Sequence, residues 1–267
     1  MILHELASPF NALSLMLRIG SIGVAITSLE SLVRPGDLGP GGLLSGEVQL
    51  TRARWLLPFG FLASQRVTVA VTVIRLLAAC AVVAGGSVFE VARAGAIVIA
   101  LATLLIRIRT PLSIHAAGTM VMVTFTGAAL GLGVGTHRSM EFALDFIAAQ
   151  ACLSYFVAGA SKLRTPSWRS GRAIPAIAST LMWGNGHQAA VLNSHRRAAF
   201  VLCWVTMTAE CAFPLTLAVP LQVTILLLAS AAMFHIITAI EMGLNSFVWA
   251  FGSTYPAIIF CWYLLHG

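Results

Sequence analysis

The sequence predicts an all-helical integral membrane protein, a bundle of about eight transmembrane helices. Of the 267 residues, 58% are hydrophobic and only 9% are charged, and the mean hydropathy is +0.91. A globular protein is about 45–50% apolar and about 25% charged, so this chain lacks the charge to cover a surface that faces water. A surface that faces lipid needs no such charge.

Apolar segments of the length that a spanning helix needs, about 20 residues, recur along the whole chain. We predict eight of them, at about 11–33, 67–85, 92–107, 111–134, 142–161, 198–218, 221–240 and 244–265. The first has no basic region ahead of it and no convincing cleavage site behind it, so we expect a retained helix. The third is short enough to be re-entrant. All eight form one transmembrane domain, 1–267.

Two longer polar connections, 34–66 and 162–197, interrupt the apolar pattern. With eight helices both lie on one side, which collects most of the arginines, and the positive-inside rule then makes that side cytoplasmic. A further crossing within 173–191 would change this topology. The net charge of +7 therefore reflects topology, and no basic run interleaved with aromatic residues favours a nucleic-acid partner.

Ionisable side chains inside membrane segments are costly, so each is a functional hypothesis. Four stand out: His115, Lys162, Glu210 and His235. Lys162 is the one lysine in a chain that otherwise uses fifteen arginines. Because a lysine can lose its proton when it is desolvated and an arginine cannot, Lys162 is a candidate general base or Schiff-base amine. The alternative is a lysine whose ammonium group extends to the membrane interface.

Helix directions predict that three of these groups converge at one membrane face. Thr110 and the proline after it look like a helix start, which places His115 about one turn, roughly 6 Å, inside the fourth helix. Lys162 closes the fifth helix and His235 lies near the end of the seventh. Small residues at 158–160 would allow close approach of a neighbouring helix. The alternative for each histidine is a structural role, bonded to a carbonyl or tethering two helices.

Glu210 lies near the middle of the sixth segment and must be protonated or paired there. Arg75, in the second segment, is a candidate partner, and a structural ion pair is favoured over a catalytic role. His115 and His235 lack a confident third ligand, so we predict no metal site.

A family resemblance is carried by Tyr155–Leu163 (YFVAGASKL), followed by Trp168 and Gly171. This stretch resembles the horizontally transferred transmembrane (HTTM) family, which is the membrane part of vitamin K-dependent gamma-carboxylase and its bacterial relatives. A second stretch, from Phe234 and His235 to Tyr255 and the proline after it, resembles the family's late histidine helix. The resemblance covers about 142–260.

The resemblance implies an enzyme that uses a reduced naphthoquinone of the vitamin K type, with oxygen, to modify a peptide. In the carboxylase, the lysine that ends this stretch deprotonates the reduced quinone. Lys162 takes that role by resemblance, with His115 and His235 assisting. The same resemblance assigns quinone binding to Tyr155, Gly159 and Trp168.

Two other functions stay open. Bacterial relatives of this length also resemble the membrane factors of sporulation-delaying-protein toxin systems, which would make the chain a non-catalytic maturation or export factor with a small partner protein. The other hypothesis is a small-molecule transporter. The implied location is a bacterial plasma membrane, and the implied partners are lipid, a lipid-soluble quinone and a peptide or small protein.

Overall fold

The computed structural model describes residues 5–34, 64–110, 115–184 and 186–267. Within these ranges eight helices are long and apolar enough to cross a membrane, counting as one each of the two that are interrupted. The predicted all-helical membrane bundle is confirmed.

The helices are numbered here in chain order. The first half holds α1 (Pro9–Val33), α2 (Gln65–Gly85), α3 (Phe89–Arg109), α4 (Ala116–Val134) and α5 (His137–Arg164). Three short helices come next: α6 (Pro166–Arg169), α7 (Ala173–Ala178) and α8 (Gly186–Ser194). The chain ends with α9 (Arg196–Ala212), a 3₁₀ segment (Phe213–Leu217), α10 (Leu221–Met242), α11 (Asn245–Gly252) and α12 (Tyr255–His266).

The third spanning helix is longer than its apolar pattern indicated. We predicted a span at about 92–107, short enough to be re-entrant, but α3 has 21 residues and is long enough to cross. Charged residues fill its ends, with Glu90 in the first turn and Arg107 and Arg109 in the last. An acid near a helix N-terminus and a base near its C-terminus stabilise the helix, although both lower the local hydropathy.

The start predicted for the fourth helix at Thr110 is wrong. Thr110 instead closes α3, and its N–H donates to the carbonyl oxygen of Ile106 at 2.9 Å. The proline that suggested a helix start lies outside the described residues. At its other end α4 closes at Gly135, which has φ +75° and whose N–H donates to the carbonyl of Gly131.

The last predicted span is interrupted between α11 and α12. Ser253 Oγ donates to the carbonyl of Ala250 at 2.8 Å, and Thr254 Oγ1 donates to that of Phe251 at 2.7 Å. Each hydroxyl group thus donates to a carbonyl oxygen three residues back, next to the break in the helix.

The chain divides into two compact units. Unit 1 comprises Met1–Ile147 and Trp249–Phe260, and unit 2 comprises Ala148–Val248 and Cys261–Gly267. In unit 1, α1 packs along α2, α2 along α3 and α3 along α4, and α1 also contacts α4. Helices α1 and α2 are antiparallel, because Ser14 Oγ donates to the carbonyl of Gly86 while Arg75 donates to Ser28 farther along.

Unit 2 is built around α9. The short helices α6, α7 and α8 pack against α9, and the 3₁₀ segment packs against α10. Trp262 Nε1 donates to the carbonyl of Val219 at 2.7 Å and so ties the end of α12 to the connection before α10. The two short helices in the 173–191 region are far too short to cross a membrane.

Candidate functional site

Lys162 on α5 and Glu210 on α9 form an ion pair in unit 2. Lys162 Nζ donates to both carboxylate oxygens of Glu210, at 2.7 Å to Oε1 and 2.6 Å to Oε2. The lysine side chain is 21% exposed and the carboxylate side chain 9%. The expectation that Glu210 is paired is confirmed. Its partner is Lys162 and not the expected Arg75, whose Nε donates to Ser28 Oγ at 3.0 Å.

Three residues of the site lie on one face of α5. Tyr155, Gly159 and Lys162 are spaced by four and three residues, so they lie on one side of the helix. The position of Gly159 requires glycine, because a Cβ there would lie 2.7 Å from the backbone nitrogen of Cys211 and 2.9 Å from Glu210 Cβ. Without a side chain at 159, α5 and α9 touch at the point where Lys162 reaches the carboxylate.

The end of α9 positions Glu210. Pro214 has no N–H and its ring would clash with the carbonyl of residue 210, so an α-helix cannot continue past this point. The backbone tightens instead, with the N–H of Phe213 donating to the carbonyl of Glu210, and the 3₁₀ segment begins. This change directs Phe213 toward α5, where its ring stacks on Tyr155 with centroids 3.8 Å apart.

The depth of the pair follows from the way the chain leaves α5. Glu210 comes fourteen residues after Arg196, about 21 Å along α9, whereas Lys162 is almost the last residue of α5. The two meet because the segment after α5 runs back along the first half of α9. Trp204 Nε1 donates to the carbonyl of Arg169 at 3.2 Å, and Gly171 lies against Phe200.

The lysine does not extend away from the bundle. Its Nζ lies 5.3 Å from the centroid of the Trp168 ring on α6, which is within the range of a cation–π contact. Its ammonium group is therefore held between a carboxylate and an aromatic ring.

A second polar pair lies farther along the same face of α5. The hydroxyl of Tyr155 and Nε2 of His235 share a hydrogen bond of 2.7 Å, and both residues are 5% exposed. Aromatic rings surround the histidine: Phe234 and Phe247 lie at centroid distances of 5.3 Å and 5.9 Å. Tyr155 and Lys162 are seven residues apart, so the two pairs are separated by about 10 Å along α5.

His115 lies at a different position in the fourth helix from the one predicted. It is the N-cap of α4 rather than a residue one turn inside it, and its Nδ1 accepts a hydrogen bond from the Gly118 N–H at 3.1 Å. Partial burial lowers the pKa of His115, and the positive charge of Arg107 lowers it further. His115 belongs to unit 1 whereas Lys162 and His235 belong to unit 2, so the predicted convergence of all three stays a prediction.

Phe213 is the site residue that sequence reasoning missed. The available signal was the proline after it, which ends an α-helix one turn beyond a mid-membrane acid. Over the described ranges, no three His, Cys, Asp or Glu side chains lie close enough to hold a metal ion. The site thus consists of two hydrogen-bonded pairs, Lys162–Glu210 and Tyr155–His235, with aromatic rings beside them.

Comparison with known proteins identifies no relative: no family model, curated protein or solved structure matches the chain.

Proposed function

We propose that the chain is an integral membrane enzyme in which the Lys162–Glu210 pair accepts a proton from a lipid-soluble acidic substrate. The observation that supports this is the contact of Lys162 Nζ with both oxygens of Glu210 inside a pair of membrane helices. Two oppositely charged groups that only held helices together would be costly in lipid relative to apolar side chains of similar size.

The pair contains one proton that either Lys162 Nζ or a Glu210 oxygen can hold. When the carboxyl holds it, both groups are neutral and Nζ has a lone pair that can accept a second proton. Acceptance converts the neutral pair to an ammonium beside a carboxylic acid, with one positive charge in total, while the substrate becomes an anion. In a medium of low dielectric that charge strongly stabilises the anion beside it.

The substrate class that we propose is a reduced quinone, as the resemblance to the HTTM family implies. Bound there, a reduced naphthoquinone would supply an acidic ring hydroxyl and a ring that oxygen can oxidise. The side chains present fit such a molecule. Trp168, beside Lys162, offers an aromatic ring, and the Tyr155–His235 pair offers a second hydrogen-bonding group. The predicted quinone contacts of Tyr155, Gly159 and Trp168 remain part of this proposal.

The proposed setting is the plasma membrane of a bacterium, where a quinone can enter a helical bundle from the lipid. A peptide is the proposed acceptor of the modification, again by resemblance. His235 lies on the same face of the site as Tyr155, where its imidazole can orient the phenol hydroxyl.

The test is oxygen uptake and quinone-epoxide formation by purified protein in lipid nanodiscs supplied with reduced naphthoquinone. We expect Lys162→Arg to lose at least about 100-fold in rate, the usual contribution of a general base. Arginine preserves the charge and the contact with Glu210 but cannot reach the neutral form. The matched control is Arg164→Lys, an exchange two residues farther along at an exposed position, which should retain the native rate.

Epoxide formation that survives Lys162→Arg would contradict the base role. A second outcome is that neither the native protein nor Lys162→Arg forms epoxide, while both support production of a mature secreted peptide in cells. The enzyme proposal then fails, and the hypothesis of a maturation factor replaces it.

A further inference from the structure

Unit 1 contains a buried cation to which the proposed function gives no role. Arg75 is the eleventh of the 21 residues of α2, so it lies about 15 Å from either end of the helix. It is only 9% exposed. A guanidinium is charged at every accessible pH, and a permanent charge at mid-membrane is rare unless it serves a function.

The protein satisfies little of this charge. Arg75 Nε donates to Ser28 Oγ at 3.0 Å, and Ser28 Oγ itself donates to the carbonyl of Val24 at 2.6 Å. A guanidinium has five N–H donors. The other four have no acceptor within the described ranges, and no carboxylate in those ranges forms an ion pair with Arg75.

Three buried serine and threonine residues of the same unit also have a hydroxyl oxygen without a hydrogen-bond partner in the described part of the chain. Ser21, Thr103 and Thr124 are 0%, 5% and 0% exposed, and their oxygens have no hydrogen-bond partner among the residues that the structure describes. A helical serine or threonine usually donates to a carbonyl one turn back, as Thr72 does to Thr68 at 2.8 Å. Buried polar groups without partners require an explanation.

These groups share a layer of the membrane. We measure depth from the side of the bundle where α2 begins. The helix ends on that side are Val33, Gln65, Arg109 and Ala116. Counting from those ends at the helical rise, the four side chains lie about 9 to 18 Å into the bundle. Unit 1 therefore carries one permanent positive charge and several free hydroxyl donors in its middle third.

We propose that unit 1 binds a monovalent oxyanion at Arg75. One fixed positive charge among neutral hydroxyl groups is balanced by one negative charge. The planar guanidinium donates two parallel hydrogen bonds to two oxygens of a planar anion, so nitrate or a small carboxylate matches it better than a spherical ion. Because Arg75 is only 9% exposed, we expect the site to take small anions. This proposal does not depend on the quinone chemistry of unit 2.

The test uses the full-length protein in nanodiscs of zwitterionic lipid, with nitrate as the probe. Sodium nitrate replaces sodium gluconate at constant ionic strength while the thermal unfolding midpoint is recorded. We expect a saturable rise for the native protein. Arg75→Gln should raise the half-saturating nitrate concentration at least tenfold. Arg18→Gln removes an exposed guanidinium that donates to Val83 in the same unit and should leave the curve unchanged.

One further comparison tests the proposal on the native protein alone. The native protein should saturate at a lower concentration of nitrate than of chloride, because only the planar anion uses both branches of the guanidinium. No saturable response, or equal responses to nitrate and chloride, would overturn the oxyanion site, as would equal nitrate responses from native protein and Arg75→Gln.

Discussion

The two units differ in the groups that surround their membrane-embedded cation. In unit 2, Lys162 contacts both oxygens of the Glu210 carboxylate. In unit 1, the guanidinium of Arg75 donates one bond to the hydroxyl of Ser28, and no described carboxylate pairs with it. The residue types match these settings, since a lysine can give up its proton and an arginine cannot. A paired lysine suits proton transfer, whereas a fixed and weakly satisfied arginine suits attraction of an anion.

The largest expected difference between the units is in stability. Glu210→Leu leaves the Lys162 ammonium without its carboxylate, and losing one partner of a buried pair should lower the free energy of unfolding by about 3 kcal/mol. Replacing both partners, Lys162→Leu with Glu210→Leu, should recover most of that loss, because no uncompensated charge remains. Denaturation in detergent micelles measures both variants.

The matched change in unit 1 is Arg75→Met. Because Arg75 has no carboxylate to leave behind, its removal should alter the free energy of unfolding by less than about 1 kcal/mol or raise it. The contrast between the units fails if Arg75→Met is as destabilising as Glu210→Leu. It fails also if the double variant in unit 2 is no more stable than the single one.

A smaller effect is expected from pH at the start of α4. The cap at His115 needs a neutral imidazole, since Nδ1 accepts from Gly118. Burial and Arg107 lower the pKa of His115 in the folded protein, so as the pH falls below about 6.5 the unfolded chain binds a proton that the folded chain resists. The stabilisation is therefore present above that pH and declines below it.

Asparagine caps a helix without titrating. His115→Asn should therefore show a flatter loss of stability than the native protein between about pH 7 and about pH 5. Because the chain contains seven histidines, the quantity to compare is the difference between the two unfolding profiles. Parallel profiles would mean that protonation of His115 does not change the free energy of unfolding.

The sequence predicted the bundle because hydropathy depends on composition within each segment and not on tertiary contacts. It also singled out Lys162, through the rarity of lysine in this chain, and Glu210, through its position in the middle of a segment. Both signals are local, and both residues belong to the site.

The partners were not predictable in the same way. Lys162 and Glu210 are 48 positions apart, and their helix positions suggest different depths. They meet because α6 and the turn after it run back along α9, which depends on packing at Gly159 and Gly171. His115 was misplaced because Thr110 carries a hydroxyl suited to a helix start, yet it ends α3. The sequence thus identified the ionisable residues but not the partners that they contact.

The central claim is that the Lys162–Glu210 pair takes up the substrate's proton. Difference infrared spectroscopy in nanodiscs tests it by recording the carbonyl stretch of protonated carboxyl groups before and after reduced naphthoquinone is added. The resting pair is an ammonium beside a carboxylate, with Lys162 Nζ donating to both oxygens, and net uptake of one proton leaves an ammonium beside a protonated Glu210. We therefore predict a new carboxylic-acid band that is absent from Glu210→Gln. Epoxide formation with no such band, or with the same band in Glu210→Gln, would contradict the claim.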